Sequence, residues 1–478
     1  MKYDLAIIGA GSGGLTVAAA AAQFGRKVVL FEPGKMGGDC LNFGCVPSKA
    51  LLAAAKHAHM ARQARRYGVM VPEPAVDFTK VYAHVHAAIA AIAPNDSQER
   101  FEGLGVKVVR APARFVDRAS IEAAGEVFTA RRFVIATGSR AARPPIPGAE
   151  GPGVHSFWTL DEARAVIAGV QPGTKVVMVG AGFISFTILN AILARGASLT
   201  IVEVAPRILP RMVDEPCARI VAGWLERHGV TLRVGATLTK IEDWKGRRKL
   251  SFKKGEPLLA DVVIMATGIR TNLEWLEGSG IEVSAEPGGG ILVDDHLRSS
   301  VKSVYAAGDV ARGPNLLTGT LEVHAIEPTA QEHGRVVGAN MAGRDLAYRG
   351  SLIMNIVEVC HLDVASFGQW DDPKAEVFTA THADRSQYRK LLFRGGKLNG
   401  AMICGPAEDI WATNDVGMLK GLVYSGADLS RWKAHLKKNP FDIKPAYLAT
   451  HTAGKLLPET VLGRASQSPQ LPHSVMVQ

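Results

Sequence analysis

Cysteine is scarce here. The five among 478 residues are too few and too scattered for the disulfide framework of a small secreted protein. Long apolar runs are missing as well. The alanine-rich stretch from Thr16 to Ala22 is broken by Gln23 and Gly25, well short of the roughly 20 residues a membrane-spanning helix needs. The N-terminus leads straight into Tyr3-Asp4-Leu5-Ala6-Ile7-Ile8, with no basic segment followed by an apolar one. No signal peptide is expected, and the expected compartment is the cytoplasm. Metal-ligand spacing is also lacking: His84 and His86 are two apart, so on a helix they point apart. The net charge of +10 is dispersed. Its densest groups are Lys245-Gly246-Arg247-Arg248-Lys249 with Lys253 and Lys254, and Arg431-Trp432-Lys433 with Lys437 and Lys438. The first reads as a hairpin turn and the second as a helix face, so nucleic acid is not expected; an acidic protein partner is the better functional reading of such charge.

What is present is glycine, 50 residues of it, in a chain that is 47% hydrophobic. That composition fits a globular protein rich in βα turns, and the length suggests about three domains. Residues 4 to 32 run from an apolar strand through Gly9-Ala10-Gly11-Ser12-Gly13-Gly14 into an alanine-rich helix. A second strand, Lys27-Val28-Val29-Leu30-Phe31, then ends at Glu32. The first glycine makes the tight turn, the second admits a pyrophosphate to the helix N-terminus, and the third lets helix and strand pack closely. The acid at the strand end can accept hydrogen bonds from a ribose.

The unit recurs. Lys175-Val176-Val177-Met178-Val179 leads into Gly180-Ala181-Gly182-Phe183-Ile184-Ser185, and Ser198 to Val202 ends at Glu203. Ser185 stands where the third glycine would be. Glu203 disfavours a 2′-phosphate by charge, so NADH is expected over NADPH, although Arg207 and Arg211 lie close enough in sequence to reach a phosphate. Two such units imply two nucleotides. Strands ending in Ala136-Thr137-Gly138 and Ala266-Thr267-Gly268, and a third running from Ser303 to Ala307 before Gly308-Asp309, read as crossings between two nucleotide domains.

The segment Gly37-Gly38-Asp39-Cys40-Leu41-Asn42-Phe43-Gly44-Cys45-Val46-Pro47-Ser48-Lys49 places both thiols near the start of the helix that follows, where amides and the dipole favour a thiolate. Redox chemistry is one reading; two buried reduced cysteines or half of a metal site are the others. Cys217, Cys360 and Cys404 are scattered in apolar contexts and read as packing residues.

Together these motifs resemble the flavoprotein pyridine nucleotide–disulfide oxidoreductases, the family of dihydrolipoamide dehydrogenase, glutathione reductase and mercuric reductase, over roughly residues 3 to 345. The resemblance implies an α/β fold with two Rossmann-like domains, for FAD and NAD, plus an α+β C-terminal domain. The corresponding boundaries are 1–148 (FAD-binding, first part), 149–268 (NAD-binding), 269–345 (FAD-binding, second part), 346–462 (C-terminal interface domain) and 463–478 (a fraying tail). It implies that Gly9, Gly11, Gly14 and Glu32 hold the ADP part of FAD and Asp309 the ribityl chain, with Gly38, Ala113, Thr137, Gly138 and Arg270 as further cofactor contacts. Gly180, Gly182, Glu203 and Gly268 would hold NADH. Cys45 would be the flavin-side charge-transfer thiolate, Cys40 the interchange thiol, and Lys49 a cation beside the flavin.

The departures bear on the acceptor. The His-Pro-Thr segment that supplies an acid–base histidine from the partner subunit is absent, and Thr450-His451-Thr452-Ala453 reads as a surface or cap histidine. The glutamate that pairs with the flavin-side lysine falls at Thr187, and no vicinal cysteine pair ends the chain, unlike a typical mercuric reductase. Glu327 to Gly343, Leu362 to Gly368, Tyr388 to Phe393 and Leu398 to Ile403, the last two forming a hairpin around Arg394-Gly395-Gly396-Lys397, resemble nitrite reductase and rubredoxin reductase flavoproteins. The expectation is a dimeric oxidoreductase passing electrons from NADH through flavin and a Cys40–Cys45 disulfide to a disulfide or sulfur-containing acceptor, small or protein-borne. The apolar segment Val81 to Ala93 would supply a subunit interface. The alternatives are an electron-transfer flavoprotein feeding a ferredoxin- or rubredoxin-like carrier, and a flavin-binding regulatory protein whose flavin NADH would not bleach.

Overall fold

The computed structural model describes residues 2–407 and 410–455; the tail 463–478, expected to fray, lies outside the described residues. The chain divides into two compact units, one of residues 1–210 and 225–351, the other of 211–224 and 352 onward.

The first unit begins as the sequence suggests, with strand β1 (Lys2–Ile8), helix α1 (Ser12–Gln23) and strand β2 (Val28–Phe31). Helices α2 (Gly38–Asn42), α3 (Cys45–Gln63) and α4 (Phe78–Ile92) follow. Then come β3 (Lys107–Val109) and the antiparallel strands β4 (Ala113–Asp117), β5 (Ser120–Ala123) and β6 (Glu126–Ile135). The sheet order is β3-β2-β1-β6-β5-β4, with Val304–Ala306 parallel against the end of β6. β1, β2 and the end of β6 are buried, as strands covered on both faces must be. Ile8 stands opposite both Phe31 and Ile135, and Ala306 opposite Ile135. Gly9, Glu32, Ala136 and Ala307 therefore share the carboxyl edge of the parallel strands, where such sheets bind ligands.

A second parallel sheet runs Thr231–Arg233, Ser198–Val202, Lys175–Val179, Val262–Met265, Val154–His155. Its carboxyl edge carries Gly180, Glu203 and Ala266. Ser139–Ala141, which follows the first Ala-Thr-Gly, pairs antiparallel with Ile269–Thr271, which follows the second.

The second unit is a five-stranded antiparallel sheet in the order Met354–Val359, Leu362–Gly368, Lys397–Pro406, Gln387–Arg394, Glu376–His382. The Gly395-Gly396 turn joins the expected hairpin. Cys360 and His361 both have positive φ and form the tight turn of another. The fold class is thus as expected: α/β with Rossmann-like parallel sheets and an antiparallel C-terminal sheet.

Helix Glu327–Met341 lies along α1 because glycines let it come close. A Cβ on Gly334 would stand 2.5 Å from Thr16 Cβ, and one on Gly338 2.5 Å from Ala20 Cβ. That packing fixes where the helix starts, at Glu327.

Candidate active site

The first glycine turn is closed by sterics. Gly9 has φ +103°, and a Cβ there would strike the Ala136 carbonyl oxygen; one on Gly14 would strike Gly9 O. α1 starts from Gly11 with no side-chain cap, so its first-turn amides are left for a ligand. Glu32 is held rigidly: Ala10 N donates to Oε2 at 2.8 Å and Gly34 N to Oε1 at 2.7 Å. The second turn repeats this construction. Gly180 has φ +102°, Gly182 starts an uncapped helix, and Glu203 accepts from Ala181 N at 2.7 Å and Ala205 N at 2.8 Å. Ser185, fully buried, donates its hydroxyl to Gly180 O, so a small polar residue does the packing of the third glycine. Arg207 donates to Pro210 O at 3.0 Å, and Arg211 belongs to the second unit.

The redox segment lies on the first turn. A Cβ on Gly38 would stand 2.7 Å from Gly11 Cα, so only glycine lets α2 seat against the turn. The Asn42 side-chain amide donates to Met36 O and Gly38 O, both at 2.9 Å, and Gly44 N donates to Asp39 O at 2.7 Å. These bonds fold α2 back so that α3 begins at Cys45. Only Cys45 thus sits at the start of the long helix; Cys40 occupies its own short helix, a difference from the sequence reading that the Gly44 turn explains.

Both cysteines are free and half-buried, and each acts on the other. That interaction, with help from the Lys49 charge and against burial and the Glu327 carboxylate, lowers Cys45 to about 7. The same interaction pushes Cys40 well above the usual thiol range, with burial adding to it. The pair therefore loses one proton near neutrality, and the charge resides on Cys45. Lys49 is exposed one turn along α3. Thr187 donates its hydroxyl to Ile184 O in its own helix at 2.7 Å.

Asp309 follows Val304–Ala306 and accepts a hydrogen bond from Ser139 Oγ at 2.6 Å. Burial raises its carboxyl, and also raises Asp39, which receives the Trp158 indole N–H at 3.2 Å. Thr137 donates to Asn272 O at 2.8 Å, and Gly138 and Gly268 have positive φ at the crossings. Ala113 is the first residue of β4, on the far side of the sheet order from β1 and β2, and Arg270 is exposed and paired with Glu274 at 3.4 Å. His451 is exposed with φ +50° at a junction between helices, a surface residue as read.

One site residue escaped the sequence reading as such. Glu327, half-buried and held by the Gln331 side-chain amide, puts its charge on both thiols and on Asp96. Cys217 and Cys404, read as scattered, are instead in contact in the second unit, where helix Glu215–Arg227 meets the sheet.

The residues fit dinucleotide cofactors: two glycine cradles that a Cβ would fill, each opening onto an uncapped helix start, with a fixed carboxylate at the end of the next strand.

The sequence profile of the pyridine nucleotide-disulphide oxidoreductases matches residues 3–324. The chain is 31% identical over 353 residues to a dihydrolipoyl dehydrogenase of Thermus scotoductus, covering 72% of each chain. It is 28% identical over 321 residues to a mercuric reductase of Bacillus cereus, covering 66% of this chain and 49% of that one. Among solved structures, an NAD-dependent persulfide reductase from A. fulgidus superposes with a TM-score of 0.69 at 24% identity, over 89% of this chain and 77% of that chain; this likeness concerns the fold.

Proposed function

The chain belongs to the pyridine nucleotide-disulphide oxidoreductase family, and on that premise we propose that it carries electrons from NADH through Cys40 and Cys45 to a small or protein-borne disulfide or persulfide. The family is FAD-dependent and uses NAD(P)H. When bound, the flavin supplies hydride acceptance from the nicotinamide and a two-electron path to sulfur. The turn from Gly9 to Gly14 and the start of α1 would take the FAD pyrophosphate, Glu32 the ribose, and Asp309 the ribityl hydroxyls. Glu203 would hold the NADH ribose and repel a 2′-phosphate.

The observation that carries the reading is the seating of the two-cysteine segment against the first glycine turn, where a Cβ on Gly38 would stand 2.7 Å from Gly11 Cα, with the two thiols acting on one another and Cys45 lowered to about 7. A buried cysteine pair with a purely packing role has no need of a thiolate; here one sulfur is ionised near neutral pH and the other keeps its proton. As Cys40 attacks the acceptor S–S bond, its proton passes to the neighbouring Cys45 thiolate, and one sulfur of the acceptor leaves as thiolate. Cys45 then returns the proton to the leaving thiolate, attacks the mixed disulfide at Cys40, and releases the second half. One thiol, one thiolate and one acceptor disulfide become one protein disulfide, one acceptor thiol and one acceptor thiolate. Cys45 thereby serves as the base, and no histidine is required. Lys49 stabilises the charge on Cys45.

The exposed apolar side chains Phe78, Tyr82 and Ile92 of α4 would suit a second copy of the chain, and the reading places the protein in the cytoplasm. No helix among the described residues is long and apolar enough to cross a membrane.

The test is NADH-driven turnover of the FAD-loaded protein with low-molecular-weight disulfides and persulfides. Cys40→Ser should abolish it while NADH still bleaches the flavin. Retention of turnover within about tenfold of the parent would remove the cysteines from the main route and leave a carrier protein as acceptor.

A further inference from the structure

A second pair of thiols lies in the unit formed by residues 211–224 and 352 onward. Helix Glu215–Arg227 opens with Asp214 Oδ1 accepting from Cys217 N at 3.1 Å. The other oxygen, Oδ2, accepts from the Tyr388 hydroxyl at 2.9 Å and from Lys390 Nζ at 3.0 Å. In the sheet, Tyr388 stands directly opposite Cys404, and residues opposite one another across an antiparallel pair point to the same face. Tyr388, Lys390 and Cys404 thus share the face against which the helix start is tied. On that face the Cys217 thiol and Cys404 act on one another, and Cys404 Sγ donates to Ser386 O at 3.7 Å. Cys217 is fully buried and Cys404 2% exposed. Cys404, burial and the Asp214 charge hold the Cys217 thiol well above the usual range, and Lys390, with its side chain 12% exposed, offsets them only in part.

Packing alone does not require this arrangement. Two thiols from distant parts of the chain are brought to one sheet face with a mostly covered lysine–aspartate pair beside them. We propose that Cys217 and Cys404 are a second oxidisable dithiol, separate from Cys40 and Cys45, that closes to a disulfide when a small peroxide reaches it. One sulfur attacks hydrogen peroxide, the O–O bond breaks, and a sulfenic acid and water form; the other sulfur displaces the second water as the S–S bond forms. Two thiols and one peroxide give one disulfide and two waters. The sulfurs need to come within roughly 2 Å of one another to bond. The bond would fix the segment 211–224 to the sheet and close a long loop, which constrains the unfolded chain strongly. Burial makes the step slow: it waits on local opening, so half-exposed Cys40 and Cys45 are oxidised first.

The experiment is non-reducing peptide mapping of the full-length, FAD-loaded protein after graded hydrogen peroxide and alkylation of the remaining thiols, repeated in sub-denaturing urea. The expected result is a peptide joining Cys217 to Cys404, appearing after the Cys40–Cys45 link and faster in urea. The oxidised protein should melt on the order of 5 °C higher than its dithiothreitol-reduced form, a rise that Cys217→Ser removes. Recovery of both cysteines alkylated or separately over-oxidised, with and without urea, overturns the proposal. So does a link of either one to Cys360.

Discussion

At Cys45, opposing influences meet on one sulfur. The Cys40 thiol and the Lys49 ammonium favour its ionised form, while burial and the Glu327 carboxylate oppose it, and the balance falls at about 7. The direction of each substitution follows. Lys49→Met removes a cation and should move the alkylation midpoint of Cys45 upward; Glu327→Gln removes an anion and should move it downward, each by about half a unit to one unit. The pH dependence of iodoacetamide labelling of the reduced protein, followed at the peptide containing Cys45, checks both. Equal midpoints in the three proteins would mean that neither charge reaches the sulfur. The cysteines and Lys49 are legible in the sequence because they lie within ten residues of one another, so spacing alone brings them together. Glu327 is not, because it reaches the thiols only through the close passage of its helix over α1 at Gly334 and Gly338. Cys217 and Cys404 are illegible for the same reason: only the register that sets Tyr388 opposite Cys404, and the Asp214 bonds to Tyr388 and Lys390, bring them together.

Among the elements, the hairpin Met354–Val359/Leu362–Gly368 shows what its turn decides. The apolar alternation of both strands can be read directly from the residues. Their register cannot, because it depends on Cys360 and His361 both taking positive φ, a conformation β-turn statistics do not assign to that pair. Once the turn is set, Glu358 stands opposite Asp363, and like charges directly opposite destabilise a sheet. Burial, and then the Glu358 charge, raise Asp363 to about 6. A carboxyl raised in the folded state contributes stability below its unfolded pKa, and this is lost as pH rises through about 6. Asp363→Asn should therefore stabilise the protein at pH 7 by about 1–2 kcal/mol and make little difference near pH 4. Thermal melts at the two pH values read this; an equal gain at both would assign it to packing instead of charge.

For the whole molecule, the decisive feature is that the chain enters the second unit twice. Residues 211–224 belong to it, although the chain on either side belongs to the first. Nothing in the sequence marks this excursion: composition changes near residue 346, and a boundary drawn there leaves the earlier segment with the nucleotide-binding part. Burial shows what that omits. Met212, Val213, Cys217, Ala218 and Val221 are all at least 96% buried, and Asp214 joins the sheet through Tyr388 and Lys390. Full burial of a large apolar side chain contributes roughly 1.5–3 kcal/mol, and a domain's net stability is only about 5–15 kcal/mol. Loss of several such residues, with an exposed apolar sheet face in their place, is enough to unfold the unit. A fragment from residue 352 to the C-terminus should accordingly show no cooperative thermal transition and weak near-ultraviolet circular dichroism. The same fragment with residues 211–224 joined through a flexible glycine–serine linker should recover both. A cooperative melt of the shorter fragment would show instead that the sheet and its C-terminal helices bury enough apolar surface by themselves, and that the segment 211–224 only decorates them.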